Sequence, residues 1–414
     1  MTDSAQNKRW LVLAAAFLGW MFDGMEMGIF PLVARPALQE MQAAAHIVDE
    51  QFVQLWMGRI TAMFLLGAAG GGLVFGWLGD RIGRVRAMSA SILCYSVFTG
   101  LTYFAQTPWQ MGGLRFIAAL GMGGEWSLGV ALVMETWPKE KRPLMAAFIG
   151  AAANLGYAVI ATLAIQFPIT KDSWRWVMMV GAAPALLTFF IRLFVPESER
   201  WKESVKHSGA VRPVREIFSG ALLKPTLLAI AFASVALIGT WGSIQWLPLW
   251  AGQMAGDAVP RAKAYAQLLS ALGAVVGCLI GPWLGHRLGR RPAYFALCLG
   301  SLLVCAYLFR FVNAYGVEFL VMVFLAGGVT AAFYGWLPLY LPELFPTRVR
   351  ATAQGVAFNS GRLLAALGAW QMGELMSFFD KSYAKAGATI TLIYIVGMFV
   401  IWLAPETKDR PLPD

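Results

Sequence analysis

Two carboxylates, Asp23 and Glu26, interrupt an apolar run that begins at Trp10 and ends near Ala34, in the stretch FLGWMFDGMEMGIF. Two guanidiniums, Arg115 and Arg362, stand inside other apolar runs. Charges in such surroundings are costly and tend to face a protein interior or an aqueous cavity rather than lipid. Asp23 and Glu26 are three residues apart and share a helix face, so their proton affinity belongs to the pair. Burial and mutual repulsion oppose the pull of a nearby arginine, and a pair balanced between them is suited to taking up and releasing protons. Arginine can hold a carboxylate through two parallel hydrogen bonds. Two acids and two guanidiniums sum to zero, so an arriving carboxylate leaves excess negative charge unless a proton comes too. The chemistry implied is the joint movement of a small organic anion and protons. Asn359, one turn from Arg362, Asn154 with Tyr157, and Trp241 with Gln245 are the candidate neutral contacts. The competing reading is that the four charges form fixed structural pairs.

The elements that must position these groups are membrane spans. Of 414 residues, 58% are hydrophobic and 14% charged, too little polar surface for a soluble protein of this length. Apolar runs predict twelve helices, near residues 10–34, 52–78, 87–106, 110–134, 144–167, 174–195, 225–252, 264–285, 292–312, 316–341, 350–377 and 383–404. At about 1.5 Å per residue, Asp23 lies about 20 Å, Glu26 about 24 Å, Arg115 about 21 Å and Arg362 about 18 Å from the cytoplasmic ends of their spans. The four charges therefore occupy one slab. The same count puts Glu125 about 6 Å from the cytoplasmic end of span 4, and it is read as part of a cytoplasmic charge network rather than of the binding site. Arg59, near the outer end of span 2, reads as an anchor that snorkels to water.

Charge placement sets orientation. With a cytoplasmic N-terminus, 22 Lys and Arg fall on the cytoplasmic side and 8 outside, the positive-inside pattern. Both termini are then cytoplasmic, and the net charge of +10 reflects that asymmetry rather than nucleic-acid binding. The first run follows Lys8 and Arg9, as a signal peptide would, but resumes past Glu26 to a full membrane length. Cys94, Cys278, Cys298 and Cys305 fall in spans and form no CxxC pair, so no disulfide framework or metal site is suggested. No Lys follows a Gly, which excludes a GxxxxGK nucleotide loop and an ATP-driven pump. His46, His207 and His286 lie in separate loops, and there is no intact GxSxG, so no enzyme constellation and no cofactor is expected.

The chain is written twice. ETWPKEKR at 135–142 and ELFPTRVR at 343–350 are offset by 208, GDRIGR from Gly79 and GHRLGR from Gly285 by 206, and PES at Pro196 and PET at Pro405 by 209. Two six-span halves are predicted, residues 1–196 and 225–414, joined by a polar linker over 197–224. Glu135 and Arg142, with Glu343 and Arg350, lie at corresponding exits of spans 4 and 10 and suggest ion pairs between halves that break when the cytoplasmic side opens. Static anchoring is the alternative. Gly67, Gly70, Gly71, Gly72 and Gly76 in span 2 read as packing.

GWLGDRIGRVR at 76–86 resembles the signature loop between spans 2 and 3 of the major facilitator superfamily. RFIAALGMGGEW from Arg115, WRW from Trp174, PESERW from Pro196 and PTRVRATAQGVAFNSGR from Pro346 extend the resemblance over the whole chain, most closely to metabolite:proton symporters of the aromatic-acid and sialic-acid type. Asp23-Gly-Met-Glu26 is similar to the Asp-Gly-x-Asp of aromatic-acid members. There are departures: Glu26 replaces the second Asp, Ala119 a Gly, and His286 and Pro282 replace the Asp and Gly expected in the second-half loop. The resemblance implies an all-α membrane fold of twelve helices and a monomeric secondary transporter of the plasma (inner) membrane. It also places Asp80 against the start of span 11, with Arg81, Arg84 and Arg86 remaining cytoplasmic. A proton-driven exporter of a cationic or amphiphilic compound, a sugar:proton symporter and a non-transporting sensor are the alternatives.

Overall fold

A computed structural model describes residues 3–44, 50–167, 169–207, 213–370, 378–380 and 382–413, and all regular structure among them is helical. In lipid a backbone must satisfy its own hydrogen bonds, and a helix does so within one segment. The first half contains α1 (Asp3–Ala44), α2 (Glu50–Ile82), α3 (Arg84–Leu101), α4 (Pro108–Thr136), α5 (Arg142–Gln166) and a sixth span made of α6 (Trp174–Val180) and α7 (Ala185–Phe194). Two short helices, α8 (Glu199–His207) and α9 (Pro213–Ile217), carry the connection. The second half contains α10 (Leu223–Gly242) with α11 (Leu247–Ala255), α12 (Ala262–Leu288), α13 (Arg290–Phe311), α14 (Val317–Tyr340), α15 (Arg350–Trp370), and α16 (Tyr383–Ile390) with α17 (Ile393–Val400).

Ten helical stretches among the described residues are long and apolar enough to cross a bilayer. The sixth predicted span misses because a turn over residues 181–184 splits it, where Gly181 and the imino nitrogen of Pro184 interrupt the ladder. The eleventh misses because α15 carries Arg350, Gln354, Asn359, Ser360 and Arg362. The least lipid-like helix is thus one that bears candidate site residues. The predicted run from 371 to 377 lies outside the described residues. The first span runs past its predicted end to Ala44, through Pro31 and Pro36, because Ala37, Leu38 and Met41 pack under Trp56 and Trp174.

The halves meet along two seams, α2 on α15 and α5 on α12. Within the first half, α1 crosses α5 where a Cβ on Gly24 would overlap the Ala153 carbonyl and one on Gly156 the Met21 carbonyl. That crossing holds Asp23 and Glu26 in place. Gly24→Val is expected to cost about 2 kcal/mol by overpacking, read as a lower detergent-phase melting temperature, whereas Gly113→Ala, with open space around it, should melt like the parent. At the start of α4 the Thr107 hydroxyl accepts from the Gln110 amide at 3.2 Å, the Gln110 side chain accepts from the Thr107 amide at 3.3 Å, and Pro108 opens the helix. This box fixes the helix end two turns before Arg115.

Candidate functional site

Two adjoining chambers lie between the halves. The inner one, about 110 Å³, is walled by Trp20 and Met27 of α1, Asn154 and Tyr157 of α5, Trp241, Gln245, Gln267 and Tyr334, with Phe358 and Arg362 from α15. The outer one, about 390 Å³, has Phe30, Phe64, Arg115 and Lys263 on its wall and shares Trp241, Gln245 and Gln267 with the first. The charged residues on the described walls of both chambers are all basic: Arg362 in the inner, Arg115 and Lys263 in the outer.

Arg115 and Arg362, expected together, line different chambers. Arg115 Nη1 donates to Glu26 Oε1 at 2.7 Å, and its guanidinium lies 4.5 Å from the Phe30 ring centre and 5.1 Å from that of Phe64. Thr99 Oγ1 donates to the same Glu26 oxygen at 3.4 Å. Arg362 Nη1 donates to Asn359 Oδ1, its Nε finds no acceptor among the described residues, and its guanidinium lies 5.5 Å over Phe358. Asp23 is within electrostatic reach of Arg362. Neither Asp23 nor Glu26 borders a chamber; both are buried behind the wall, which corrects the expectation that they face the cavity directly.

Two further expectations change. Glu125 does not belong to a cytoplasmic network: it is buried beside Asp23 and against Gly19 of α1. Counting down from the outer end of span 4 through a layer of about 30 Å misplaced it, since α4 runs on to Thr136 and Glu125 lies eleven residues, roughly 16 Å, from that end. Asn359 is not on a chamber wall. Its amide donates to Gly123 O at 2.8 Å and Gly355 O at 2.9 Å, tying α15 to α4, and its oxygen receives Arg362. It positions Arg362. Asn154, Tyr157, Trp241 and Gln245 do reach the inner chamber, with Tyr157 hydrogen-bonded to Gln245 and Asn154 donating to Gly150 O at 3.3 Å. Gln267 and Tyr334 also line the inner chamber, and the signal that marks them in the sequence is a polar group in a strongly apolar span.

At the end of the bundle where α8 and α9 lie, the halves are locked together. Asp80 Oδ2 accepts from the Thr352 amide at 2.8 Å and the Thr352 hydroxyl at 2.5 Å, and Oδ1 from the Ala351 amide at 3.3 Å. A carboxylate therefore sits on the N-terminus of α15, where exposed amides and the helix dipole favour negative charge. Arg84, expected among the cytoplasm-facing basic residues, is fully buried: Nη1 meets Asp80 at 2.8 Å, and Nη2 meets Glu135 at 3.1 Å and Thr347 O at 2.8 Å. Arg350 reaches Glu135 from the other half at 3.2 Å. Arg142 Nε donates to Met134 O at 3.1 Å and so braces its own half. Arg81 is exposed and stacks on Trp77 at 4.9 Å, outside this closure.

The duplication reappears in these contacts. Arg290, the counterpart of Arg84, pairs with Glu343, the counterpart of Glu135, at 2.7 Å. Gly83 (φ 108°) and Gly289 (φ 101°) make equivalent left-handed turns. Glu197 accepts from the Arg84 amide and Glu406 from the Arg290 amide, both at 2.9 Å. Burial pushes the Glu406 carboxyl up, but the amides of Arg290, Arg291 and Lys408 outweigh it and hold the group below the usual carboxylate range. His286, in the place of Asp80, is exposed and brings no carboxylate.

A sequence profile of the Major Facilitator Superfamily matches residues 10–369. A putative metabolite transport protein of Haemophilus influenzae is 28% identical over 421 residues, covering 100% of both chains. A cis,cis-muconate transport protein of Acinetobacter baylyi is 28% identical, covering 87% of this chain and 86% of its own. Among solved structures, a proton:xylose symporter bound to 6-bromo-6-deoxy-D-glucose superposes with a TM-score of 0.78 at 16% identity, covering 98% of each chain, and supports the twelve-helix fold.

Proposed function

The chain belongs to the major facilitator superfamily and is a multi-pass membrane secondary transporter rather than an enzyme; from that premise we propose that it imports a small organic acid anion together with protons by alternating access. The observation that carries this reading is the sign of the chamber walls: the charged residues on them are basic. A cationic substrate would meet Arg362 and Arg115, and a neutral sugar needs neither. Arg362 receives the carboxylate with the Nε and Nη donors that the protein leaves unspent, while Tyr157, Gln245, Asn154 and Trp241 shape the rest of the wall. A relative named for cis,cis-muconate transport fits a carboxylate cargo.

Glu26 and Asp23 carry the protons. Glu26 is bonded to Arg115 at 2.7 Å, so protonating it releases a guanidinium on the outer chamber wall at the moment an anion needs a partner. Asp80, Arg84, Glu135 and Arg350 form the closure that breaks when the halves rock and the linker side opens, with Glu343 and Arg142 bracing the helices that move. Orientation follows from the basic residues of the loops: termini and linker in the cytoplasm, the chambers reached from outside, in the plasma (inner) membrane of a bacterial cell.

The test is purified protein in liposomes with a trapped pH dye, challenged with carboxylates including cis,cis-muconate and nicotinate under an inward proton gradient. Addition of a transported acid should acidify the lumen. Glu26→Gln should lose gradient-driven accumulation by at least tenfold yet keep exchange of labelled for unlabelled anion, because exchange needs no net proton movement. Lumen acidification that persists unchanged in both Glu26→Gln and Asp23→Asn would remove these acids from coupling.

A further inference from the structure

Apart from the latch acids Asp80 and Glu135, three buried acids rather than two, Asp23, Glu26 and Glu125, lie between α1 and α4, and the two basic groups near them, Arg115 and Arg362, leave one negative charge uncompensated. Asp23 and Glu125 are 0% and 1% exposed and lie side by side, close enough to share a hydrogen bond. None of their four oxygens accepts an N–H or O–H from any other described group. A carboxylate has acceptors only, so a hydrogen bond between two of them requires a proton on one. A Cβ at Gly19 would overlap Glu125 Oε1, so the bare backbone of α1 makes the room.

A second feature converges on the same place. Tyr95 of α3 is 0% exposed, its hydroxyl meets no hydrogen-bond partner among the described residues, and it is within electrostatic reach of Glu125, Asp23 and Glu26 alike. Ser96 is also buried, with a hydroxyl unpaired among the described residues, and Thr99, one turn on, touches Glu26 at 3.4 Å. Helix α3 therefore turns a run of hydroxyls toward the acids of α1 and α4, away from the chambers. Asp23 is faced by Glu125, Glu26, Arg362 and Tyr95; Glu125 by Asp23 and Tyr95; Glu26 by Arg115, Asp23, Thr99, Tyr95 and Tyr157.

We propose that Asp23 and Glu125 hold one proton between them in a site behind the substrate chamber, and that Tyr95, Ser96 and Thr99 connect this site to Glu26. It rests on the proton-coupled reading above and says where a proton resides when no anion is bound. One shared proton brings the three acids and two guanidiniums to neutrality. A proton taken at Glu26 reaches the pair along the hydroxyls, and one leaving the pair returns to an emptied Glu26 by the same route, each hydroxyl releasing its own hydrogen as it accepts the next. Glu125 is thus a proton-holding residue that never meets the cargo.

Infrared spectroscopy of the purified protein, without any transported compound, tests this. The parent should show a protonated-carboxyl stretch at neutral pH that Glu125→Gln loses, since Asp23 then has no carboxyl of Glu125 with which to share a proton and is ionised against Arg362. Asp23→Asn should keep the band but shift it, because an amide replaces the carboxyl neighbour. Tyr95→Phe combined with Thr99→Val should keep it and slow its exchange in heavy water by at least tenfold. Absence of the band in the parent, its survival unchanged in Glu125→Gln, or no shift in Asp23→Asn overturns the shared site; unaltered exchange in the double variant overturns the hydroxyl route. Because no cargo is present, these outcomes are separate from the liposome assay, whose failure would reject anion import and leave the proton site standing.

Discussion

Arg362→Gln is expected to lower uptake of a transported carboxylate by on the order of 100-fold. A hydrogen bond to a charged group contributes about 1.5–3 kcal/mol, so loss of a two-pronged contact amounts to about 3 kcal/mol, or two factors of ten. Arg362→Lys keeps the charge but not the planar fork and should recover only part of the loss. The substitution breaks no direct ion pair, because Asn359 rather than a carboxylate holds the guanidinium, and Asp23, which loses the attraction of Arg362, can take a proton in compensation; the variant should therefore fold. Initial uptake rates in the same liposomes, with equilibrium binding of the carboxylate to detergent-solubilised protein, provide the check. Rates within threefold of the parent would mean the anion is held elsewhere.

Glu135→Gln should shift the resting protein out of the closed arrangement of the linker end. Glu135 is the carboxylate between two fully buried guanidiniums, Arg84 at 3.1 Å and Arg350 at 3.2 Å, and its second oxygen takes the Ser198 hydroxyl at 2.5 Å. Removing one partner of a buried pair leaves a charge uncompensated, at a cost of about 3–5 kcal/mol. Opening lets water solvate Arg350, so much of that cost falls on the closed state alone. A shift of about 3 kcal/mol changes the population ratio by on the order of 100-fold. Spin labels at the exposed linker-side residues Arg81 of α2 and Arg287 of α12 should report longer separations in the variant, and uptake should fall in step. Unchanged separations would make the cluster an anchor rather than a gate.

The sequence carried more of this architecture than of its chemistry. The offsets near 208 identify Arg84 with Arg290, Glu135 with Glu343 and Glu197 with Glu406, and each pair of counterparts makes the same contact in its own half. Depth counted along helices brought Glu26 to the level of Arg115, and the two are bonded. The same arithmetic failed for Glu125, because it fits span 4 into about 30 Å from its outer end, and α4 is 29 residues long and continues to Thr136. Nor could spacing tell a solvated basic turn from a buried latch: the partners of Arg84 lie 51 residues away in α4 and 263 residues away beyond α14. Asn359 looked like a ligand contact because polar groups in a span suggest one, but its amide is spent on the carbonyls of Gly123 and Gly355.

The replacement of an aspartate by His286 breaks the symmetry that the duplicated chain would otherwise impose. Asp80 bolts α2 to the first turn of α15 through three hydrogen bonds, whereas the start of α5 receives no such carboxylate from α12. One edge of the closed face behaves as a hinge post and the other as the leaf, so water should first penetrate along the α5–α12 edge, and the cargo should leave by that side.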